Sequence, residues 1–276
     1  MDDRHIKRSL IAGSWYPGNS QVLRRDIIHY FDNVPDAAFA GQILGLVAPH
    51  AGYMYSGQVA AHAYRQIKGQ TYDAVFVIGP SHRSYFRGVS LFKLGGYETP
   101  LGIVNVHQDA AERLMEQDPR IVFLPDVHLQ EHSVEIQLPF LQVALGEFLF
   151  IPLIMGEQDY ETCRVLADAI VKSSKDKKIL IVGSSDLSHY HSYEQATKMD
   201  SLIINHLRKM DERGLMRDLE NGSGEACGGG PAAVTMMVAK QLGANAAAVL
   251  KYANSGDVTG DRSGVVGYAA AIFFKG

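Results

Sequence analysis

The apolar residues of this chain fall mostly in continuous runs rather than at alternating positions. In the stretch ILGLVA, residues 43–48, every position is apolar or glycine. Such runs are typical of strands that are buried on both faces, as in a largely parallel sheet. Runs of this kind predict strands at residues 43–48, 74–78, 89–93, 148–155, 179–182, 246–253 and 265–274.

Between these strands, apolar residues recur three and four positions apart, which is the period of an amphipathic helix. The alternation of strands and helices favours an α/β fold with a mostly parallel central sheet and helices on both faces. Glycines and a proline within residues 93–106 predict a β excursion with turns. Because no Gly/Ser-rich linker interrupts the pattern, one domain over residues 1–276 is expected. The predicted helices are residues 57–67, 108–116, 134–145, 161–171, 192–209 and 232–242.

Composition excludes several classes of protein. The chain has 276 residues, of which 46% are hydrophobic and 20% charged, and its formal net charge is -4. It carries no dense Lys/Arg stripe for nucleic acid and no apolar run long enough to span a bilayer. The first ten residues lack the apolar core of a signal peptide. Since two cysteines make no disulfide framework, we expect a cytoplasmic protein with reduced thiols and no nucleic-acid or membrane partner.

Three histidines follow predicted strands in the same way. The segments LGLVAPH, VFVIGPSH and ILIVGSSDLSH end at His50, His82 and His189. In open α/β sheets, ligands bind beyond the carboxyl ends of the strands, so neighbouring strands would bring these imidazoles to one crevice. Imidazole is a common metal ligand and also an acid or base near pH 7. One strand-end histidine more often only caps a turn, but three in the same context favour a shared site.

The segment GEACGGGPAAV places Cys227 just before a predicted helix, with Pro231 in the first turn. The helix dipole and free N–H groups would favour the thiolate and lower the pKa of Cys227. The glycines allow a ligand or another backbone to approach closely. Cys227 is therefore interpreted as a thiolate ligand or a nucleophile. Cys163 lies within a predicted helix and is interpreted as a buried structural residue.

Another segment, EHSVEIQLPF, carries Glu131 and His132 before a predicted helix, with Ser133 as its N-cap. Charged residues in this position often only satisfy the first turn of the helix. They also suit partners of a ligand or proton carriers, so both are kept as candidate catalytic residues. Asp186, in SSDLSH, is either a turn former or a carboxylate that orients a histidine.

Seven motifs occur in one order along the chain: AGSWYPG, APHAGYMYSG, GPSH, EHSVEIQLPFL, SSDLSHY, CGGGP and SGDVTGDRSGVVGYAA. Together they closely resemble the Memo family, also called the AmmeMemoRadiSam system protein B family. The resemblance extends over nearly the whole chain, from residue 12 to residue 274. That family is similar in turn to the class III extradiol (LigB-type) non-haem iron dioxygenases.

The resemblance implies a three-layer α/β fold with a metal pocket at the strand ends. Carried over by motif, the metal ligands would be His50, His82 and Cys227, with iron or copper as the metal and zinc as an alternative. Members of the family are described as redox-linked and as partners of radical SAM and AMMECR1-like proteins. The resemblance therefore implies partners of these kinds, besides an unidentified small molecule or peptide.

Four further residues receive roles from the same resemblance. His189 would lie beside the ligands as an acid or base, with Asp186 behind it. Trp15 and Tyr53 would line the mouth of the pocket. Together with the ligands, these residues would make up a site like that of a non-haem dioxygenase.

One departure from the dioxygenase pattern shapes the functional hypotheses. Extradiol dioxygenases hold Fe(II) with two histidines and a carboxylate, whereas Cys227 stands at the third position here, which argues against ring cleavage. The first hypothesis is a metal-dependent oxidoreductase. The second is a binding module that uses the pocket for a peptide or an anionic ligand without catalysis. The third is a metal-free hydrolase with Cys227 as nucleophile, His189 as base and the amides of residues 228–230 as oxyanion hole.

Overall fold

The computed structural model of the chain describes residues 5–35, 39 and 41–276. The first four residues, which belong to the segment predicted not to be a signal peptide, therefore lie outside the described residues. The strands are β1 (Ile6–Lys7), β2 (Gln42–Ala48), β3 (Ala74–Pro80), β4 (Val89–Leu91), β5 (Gly96–Thr99), β6 (Gly102–Val106), β7 (Ile121–Val122), β8 (Leu149–Met155), β9 (Ile179–Ser184), β10 (His189–His191), β11 (Ala246–Asn254) and β12 (Val265–Lys275). The helices are α1 (Ser20–Asp32), α2 (Tyr53–Tyr64), α3 (Gln108–Met115), α4 (Pro125–Leu129), α5 (Leu138–Leu145), α6 (Tyr160–Ser173), α7 (Tyr193–Lys209), α8 (Glu212–Glu220), α9 (Gly229–Gln241) and α10 (Ser255–Thr259).

Parallel strands in the order β8-β3-β9-β2 form the centre of the sheet. Every residue of β3 and β9 is buried, as expected for continuous apolar runs. Antiparallel strands flank this centre: β12 pairs with β2 and β11, and β4 pairs with the end of β8. The prediction of a mostly parallel central sheet is confirmed, whereas the number of domains stays a prediction.

Helices cover both faces of the sheet. On one face, α2 packs on β2, β11 and β12 and contacts α1 and α5. On the other, α9 packs on β2, β3 and β9 and contacts α6 and α8. Helix α9 approaches the sheet closely at Thr235. A Cβ atom at Gly45 would lie 2.8 Å from the Thr235 side chain, and one at Gly183 would lie 2.6 Å from it. Glycine at these two strand positions therefore lets α9 pack directly on the sheet, which completes the three layers.

The predicted strands all form, with bounds that differ by one or two residues. The predicted β excursion is the hairpin of β5 and β6. Two helices of eight residues or more were not predicted, α1 and α8. The first has a clear signal, since Leu23, Ile27 and Phe31 are four residues apart and buried. None of the helices in the described part of the chain combines the length and apolar character that a bilayer crossing requires.

The predicted helix 134–145 is a 3-10 turn (Glu135–Gln137) followed by α5. Pro139 lies in the first turn of α5, where its missing N–H has no helical partner to lose. Ser133 is not the N-cap, because its hydroxyl donates to the Pro80 carbonyl oxygen at 3.0 Å. That bond ties the segment before α5 to the end of β3, next to His82.

Candidate metal centre

His50 and His82 lie just beyond the carboxyl ends of parallel strands. Each follows its strand by two residues, His50 after β2 and His82 after β3, and β9 runs between these two strands. His132 joins them from the segment between α4 and α5. One ring nitrogen of each of these three histidines lies within 4.8 Å of the others, a spacing that suits a single metal ion.

The His50 side chain is almost fully buried and is held through its Nδ1 atom. This nitrogen lies 3.0 Å from the Ser184 hydroxyl oxygen at the end of β9. Burial lowers the pKa of His50 well below its usual value, and the nearby His82 and His132 lower it further. His50 is therefore a neutral imidazole at pH 7, which is the form that binds metals.

Glu131 orients the other two histidines. Its carboxylate accepts the backbone N–H of His82 at 2.6 Å and that of His132 at 2.9 Å, and it lies 3.0 Å from His82 Nδ1 and 3.3 Å from His132 Nδ1. Burial alone would raise the pKa of Glu131, but the hydrogen bonds and charge of His82 outweigh it and lower the pKa to about 2. The carboxylate is therefore ionised, as expected for a partner of metal-ligating histidines.

The Nδ1 atoms of His50 and His82 are hydrogen-bonded to these partners, so Nε2 is the nitrogen that each of these two rings can offer to a metal ion. His132 Nδ1 makes the 3.3 Å contact with Glu131. The ring centroids of His50 and His82 are 5.0 Å apart, those of His82 and His132 4.7 Å, and those of His50 and His132 5.7 Å. Burial lowers the pKa of His132 to about 4. Three imidazoles that converge in this way make a donor set that fits zinc, copper or iron.

Cys227 contacts one member of this group. Its Sγ atom lies 3.0 Å from His50 Nε2, although Cys227 is not a member of the three-histidine group. Burial raises the pKa of the Cys227 thiol, and the Asp186 carboxyl raises it further. The expected lowering of this pKa is therefore wrong for the protein without metal. Cys163 is a buried residue of α6, as predicted.

The backbone amides after Cys227 do not offset the effect of burial on its thiol, although the Gly228 N–H lowers the pKa. Gly228 N–H donates to Ser185 Oγ at 3.0 Å, and Gly230 N–H donates to Gln158 Oε1 at 2.8 Å. Gly229 N–H donates to the Ala226 carbonyl oxygen at 3.3 Å. Since these amides already have acceptors, they form no oxyanion hole, and the hydrolase hypothesis loses its main requirement.

His189 is not a member of the three-histidine group, although its charge is among those that lower the pKa of His50. It follows β9 by five residues and belongs to β10, which pairs antiparallel with β12. Its backbone N–H donates to Glu225 Oε1 at 3.1 Å, and its Nδ1 lies 3.5 Å from the same oxygen. His191 Nε2 lies 2.8 Å from the other oxygen of Glu225. The carboxylate beside His189 is therefore Glu225 rather than the expected Asp186.

Asp186 instead supports His50. Its Oδ1 accepts the backbone N–H groups of His50 at 2.7 Å and of Ala51 at 3.3 Å. Burial raises the pKa of Asp186 to about 7, although these two hydrogen bonds oppose the shift. Of the two interpretations from sequence, the structure favours a carboxyl group that positions a histidine, but through the main chain of His50.

The two aromatic residues expected at the pocket mouth differ in position. Trp15 is 37% exposed, and its ring centroid lies 4.4 Å from that of His132. Tyr53 is only 4% exposed, packs against Phe140, and donates its hydroxyl proton to the Ile136 carbonyl oxygen. Trp15 therefore flanks the site, whereas Tyr53 lies in the core behind it.

Three residues of this site were not singled out from the sequence. Ser184 and Gln137 contact each other behind His50, and Glu225 joins His189 to His191. His132 was expected to assist rather than to belong to the donor group. The only sequence signal for Ser184 is a polar residue at the end of an apolar strand, and Gln137 and Glu225 resemble ordinary solvated residues.

Comparison with known proteins supports a family assignment. A family model described as Memo-like protein matches residues 7–272. A MEMO1 family protein of Methanobrevibacter smithii is 36% identical over 280 residues, which cover 97% of this chain and 99% of the relative. A MEMO1 family protein of Methanopyrus kandleri is 38% identical over 96% of this chain and 98% of that relative. A MEMO1 family protein of Sulfolobus acidocaldarius is 40% identical over 82% of this chain and 81% of that relative. Since the match spans nearly the whole length, the chain belongs to the Memo-like protein family.

Proposed function

We propose that this protein binds a transition metal ion at the three-histidine group and that the bound metal takes part in redox chemistry. Iron or copper is the proposed metal, with zinc as an alternative. The observation that carries the proposal is the convergence of three imidazoles, two of which have Nδ1 hydrogen-bonded and so offer Nε2 to a metal ion. Unused ring nitrogens that meet at one point are typical of ligands rather than of structural histidines.

The protonation states of the group also support metal binding. Metal ions compete with protons for imidazole nitrogens. Because the pKa values of His50 and His132 are lowered, by burial above all, this competition is weak at pH 7. The negative charge of Glu131 beside His82 and His132 stabilises a cation at the site.

We assign the ligand roles as follows. His50 and His82 hold the metal through Nε2, and His132 and Cys227 provide the remaining donors. A bound metal would supply an electron-transfer or Lewis-acid centre. Glu131 and Ser184 orient the rings, and Trp15 limits the access of water on the side of His132. A thiolate among imidazoles favours copper, zinc or iron over hard cations such as Mg²⁺.

A pocket like that of LigB-type dioxygenases is part of the proposal, but ring cleavage is not. The three-histidine group contains no carboxylate, whereas those enzymes use two histidines and a carboxylate. Partners of the radical SAM and AMMECR1-like kinds are proposed on the family resemblance alone. A cytoplasmic location that keeps Cys227 reduced is proposed from the composition and the two cysteines.

Metal analysis of protein purified anaerobically and without chelator tests this proposal. We expect roughly one metal ion per chain. His82→Ala is the decisive variant: His82 is the exposed member of the group, so its removal should abolish metal binding without unfolding the protein. His29→Ala, on the exposed face of α1, is the matched control and should keep the metal.

The metal content of Cys227→Ala, measured beside these variants, tests whether the thiol is a ligand. We expect it to retain less metal than the wild type. Wild-type protein that contains no metal and takes up none from Fe(II), Cu(I) or Zn(II) would overturn the proposal. The binding module, with Trp15 as an exposed aromatic wall, would then be the better hypothesis.

A further inference from the structure

A buried chain of polar side chains lies directly behind His50. Tyr64, Gln137, Ser184 and His50 are each at most 2% exposed. No solvent reaches this chain, so each of its protons must go to a protein acceptor. The directions of these hydrogen bonds therefore follow from the groups that can only donate or only accept.

The amide of Gln137 has one allowed orientation. One end of it faces the Pro49 carbonyl oxygen at 3.0 Å, and a carbonyl oxygen can only accept. The group at that end must be the NH₂, which also lies 2.7 Å from Ser184 Oγ. Gln137 Oε1 is then left to accept the Tyr64 hydroxyl proton at 2.7 Å. A flipped amide would put two acceptors against each other at Pro49.

The orientation of the Gln137 amide determines the hydrogen bond between Ser184 and His50. Its hydroxyl oxygen accepts from Gln137, and its only proton goes to the Ser133 carbonyl oxygen at 2.6 Å. The third neighbour of this oxygen is His50 Nδ1 at 3.0 Å. Since the hydroxyl proton is already donated, the His50 nitrogen has to be the donor in this pair.

We propose that Gln137 and Ser184 are positioning residues that fix His50 as its Nδ1–H tautomer. The Nε2 lone pair of His50 then points away from this chain, toward Cys227 Sγ at 3.0 Å. Without metal, the Cys227 thiol donates its proton to this lone pair. A metal ion at this site would find the Nε2 lone pair of His50 available as a ligand, and the Cys227 thiol would release its proton to solvent to bind as a thiolate.

His128 provides an internal reference, because the same reasoning gives it the opposite tautomer. Ser90 donates its proton to the Leu124 carbonyl oxygen and lies 3.0 Å from His128 Nε2. Tyr97 faces His128 Nδ1 at 2.6 Å. His128 Nε2 must therefore donate to Ser90, and Nδ1 accepts from Tyr97.

Long-range ¹H–¹⁵N spectra of metal-free protein with ¹⁵N-labelled histidine test the proposal. Signals are assigned by their loss in His50→Ala and His128→Ala. We expect the Nδ1–H pattern for His50 and the Nε2–H pattern for His128. An Nε2–H pattern for His50 in the wild type would overturn the proposal, and this measurement requires no variant of the buried chain to fold.

Ser184→Ala and Gln137→Met test the roles of the two residues. Both should leave His50 with a mixture of tautomers and weaken the binding of Zn(II) by roughly 10- to 100-fold, as for other partners of metal-ligating histidines. Ser90→Ala is the matched control: it should change the His128 signals and leave those of His50 and the zinc affinity unchanged. Unchanged His50 signals in both variants would contradict the proposal.

The consequence for affinity rests on the proposed metal site, but the tautomer does not. If His50 shows the Nδ1–H pattern and no metal binds, the proposed function fails and the tautomer assignment stands. If metal binds and the pattern is Nε2–H, the proposed function stands and the positioning role fails.

Discussion

Two buried histidine environments differ in how many ring nitrogens have a hydrogen-bond partner supplied by the fold. His128, in α4, is fully buried, and both of its nitrogens have partners, Ser90 at Nε2 and Tyr97 at Nδ1. At the strand ends, His50 has only Nδ1 occupied by the fold, and its Nε2 faces His82, His132 and the Cys227 thiol. Burial lowers the pKa of both His50 and His128, so a lowered pKa does not distinguish the two environments.

The difference shows what separates a structural histidine from a candidate ligand. It is whether the fold provides hydrogen-bond partners for both ring nitrogens, rather than how deeply the ring is buried. At His128 the fold uses the whole imidazole, so its removal should affect stability alone. At His50 and His82 the fold hydrogen-bonds Nδ1 and leaves Nε2 to a ligand or, at His50, to the Cys227 thiol.

Of the predicted effects, the loss of metal affinity in Glu131→Gln should be the largest. The amide places an N–H donor where the carboxylate accepts from His82 and His132, and it removes a negative charge from beside the proposed cation. We expect metal affinity to fall by roughly 10- to 100-fold. Competition titrations with a chelating dye measure this change. Glu157→Gln, whose carboxylate accepts the Gly88 N–H, is the control; an equal loss in both variants would contradict a specific role of Glu131.

Tyr97→Phe should show the opposite behaviour at the structural histidine. It leaves His128 Nδ1 buried without a partner, which costs about 1–3 kcal/mol in the free energy of unfolding. Urea denaturation measures the cost, and metal content should equal that of the wild type. If Tyr97→Phe lost metal while it stayed folded, the two environments would be coupled and the comparison would fail.

Acid should destabilise the protein through both environments. The pKa is lowered to about 3 for His128 and about 4 for His132, by burial in each case, whereas in the unfolded chain it is near 6.5. As pH falls below 6.5 the unfolded state takes up protons first, so the free energy of unfolding decreases. Each histidine contributes at most about 1.4 kcal/mol per pH unit. The range between pH 6.5 and 5 lies above the range in which Glu131 titrates. In this range, His128→Phe and His132→Ala should each reduce the slope of the free energy of unfolding against pH, measured on metal-free protein. A slope that neither variant changes would contradict the lowered pKa values.

The smallest effect concerns the thiol that contacts His50. Because burial raises the pKa of Cys227, we expect iodoacetamide to label it slowly at pH 7 in metal-free folded protein, and faster only at alkaline pH. Urea-denatured protein, in which Cys227 and Cys163 react as free thiols, is the reference. Rapid labelling of folded protein at pH 7 would show that the thiolate is stabilised after all, as the helix position predicts.

The strands and two of the strand-end histidines were predictable because they depend on local pattern. Continuous apolar runs indicate β2, β3 and β9, and a residue two positions beyond such a strand lies at the sheet edge whatever the rest of the chain does. His189 has the same sequence context as His50, but β9 ends at Ser184, so four residues separate His189 from its strand. Those residues carry it into β10 and to Glu225.

The rest of the site depends on contacts between distant segments, which no local pattern reports. Glu131 and Gln137 act only because the segment before α5 docks against the ends of β3 and β9, through bonds such as Ser133 to Pro80. The pKa of Cys227 was mispredicted for a similar reason. The helix start was read correctly, but the burial of the sulfur outweighs the hydrogen bonds that neighbouring backbone amides offer the thiolate.

X-ray absorption at the metal edge tests most directly whether the histidines hold one metal ion. Protein loaded with one equivalent of zinc or copper should show imidazole nitrogens at about 2.0–2.1 Å, and one sulfur at about 2.3 Å if Cys227 is a ligand. The imidazole signal should be lost in His82→Ala, which should no longer bind the metal, and unchanged in His128→Ala. A shell of oxygen ligands alone, identical in the wild type and His82→Ala, would contradict the account.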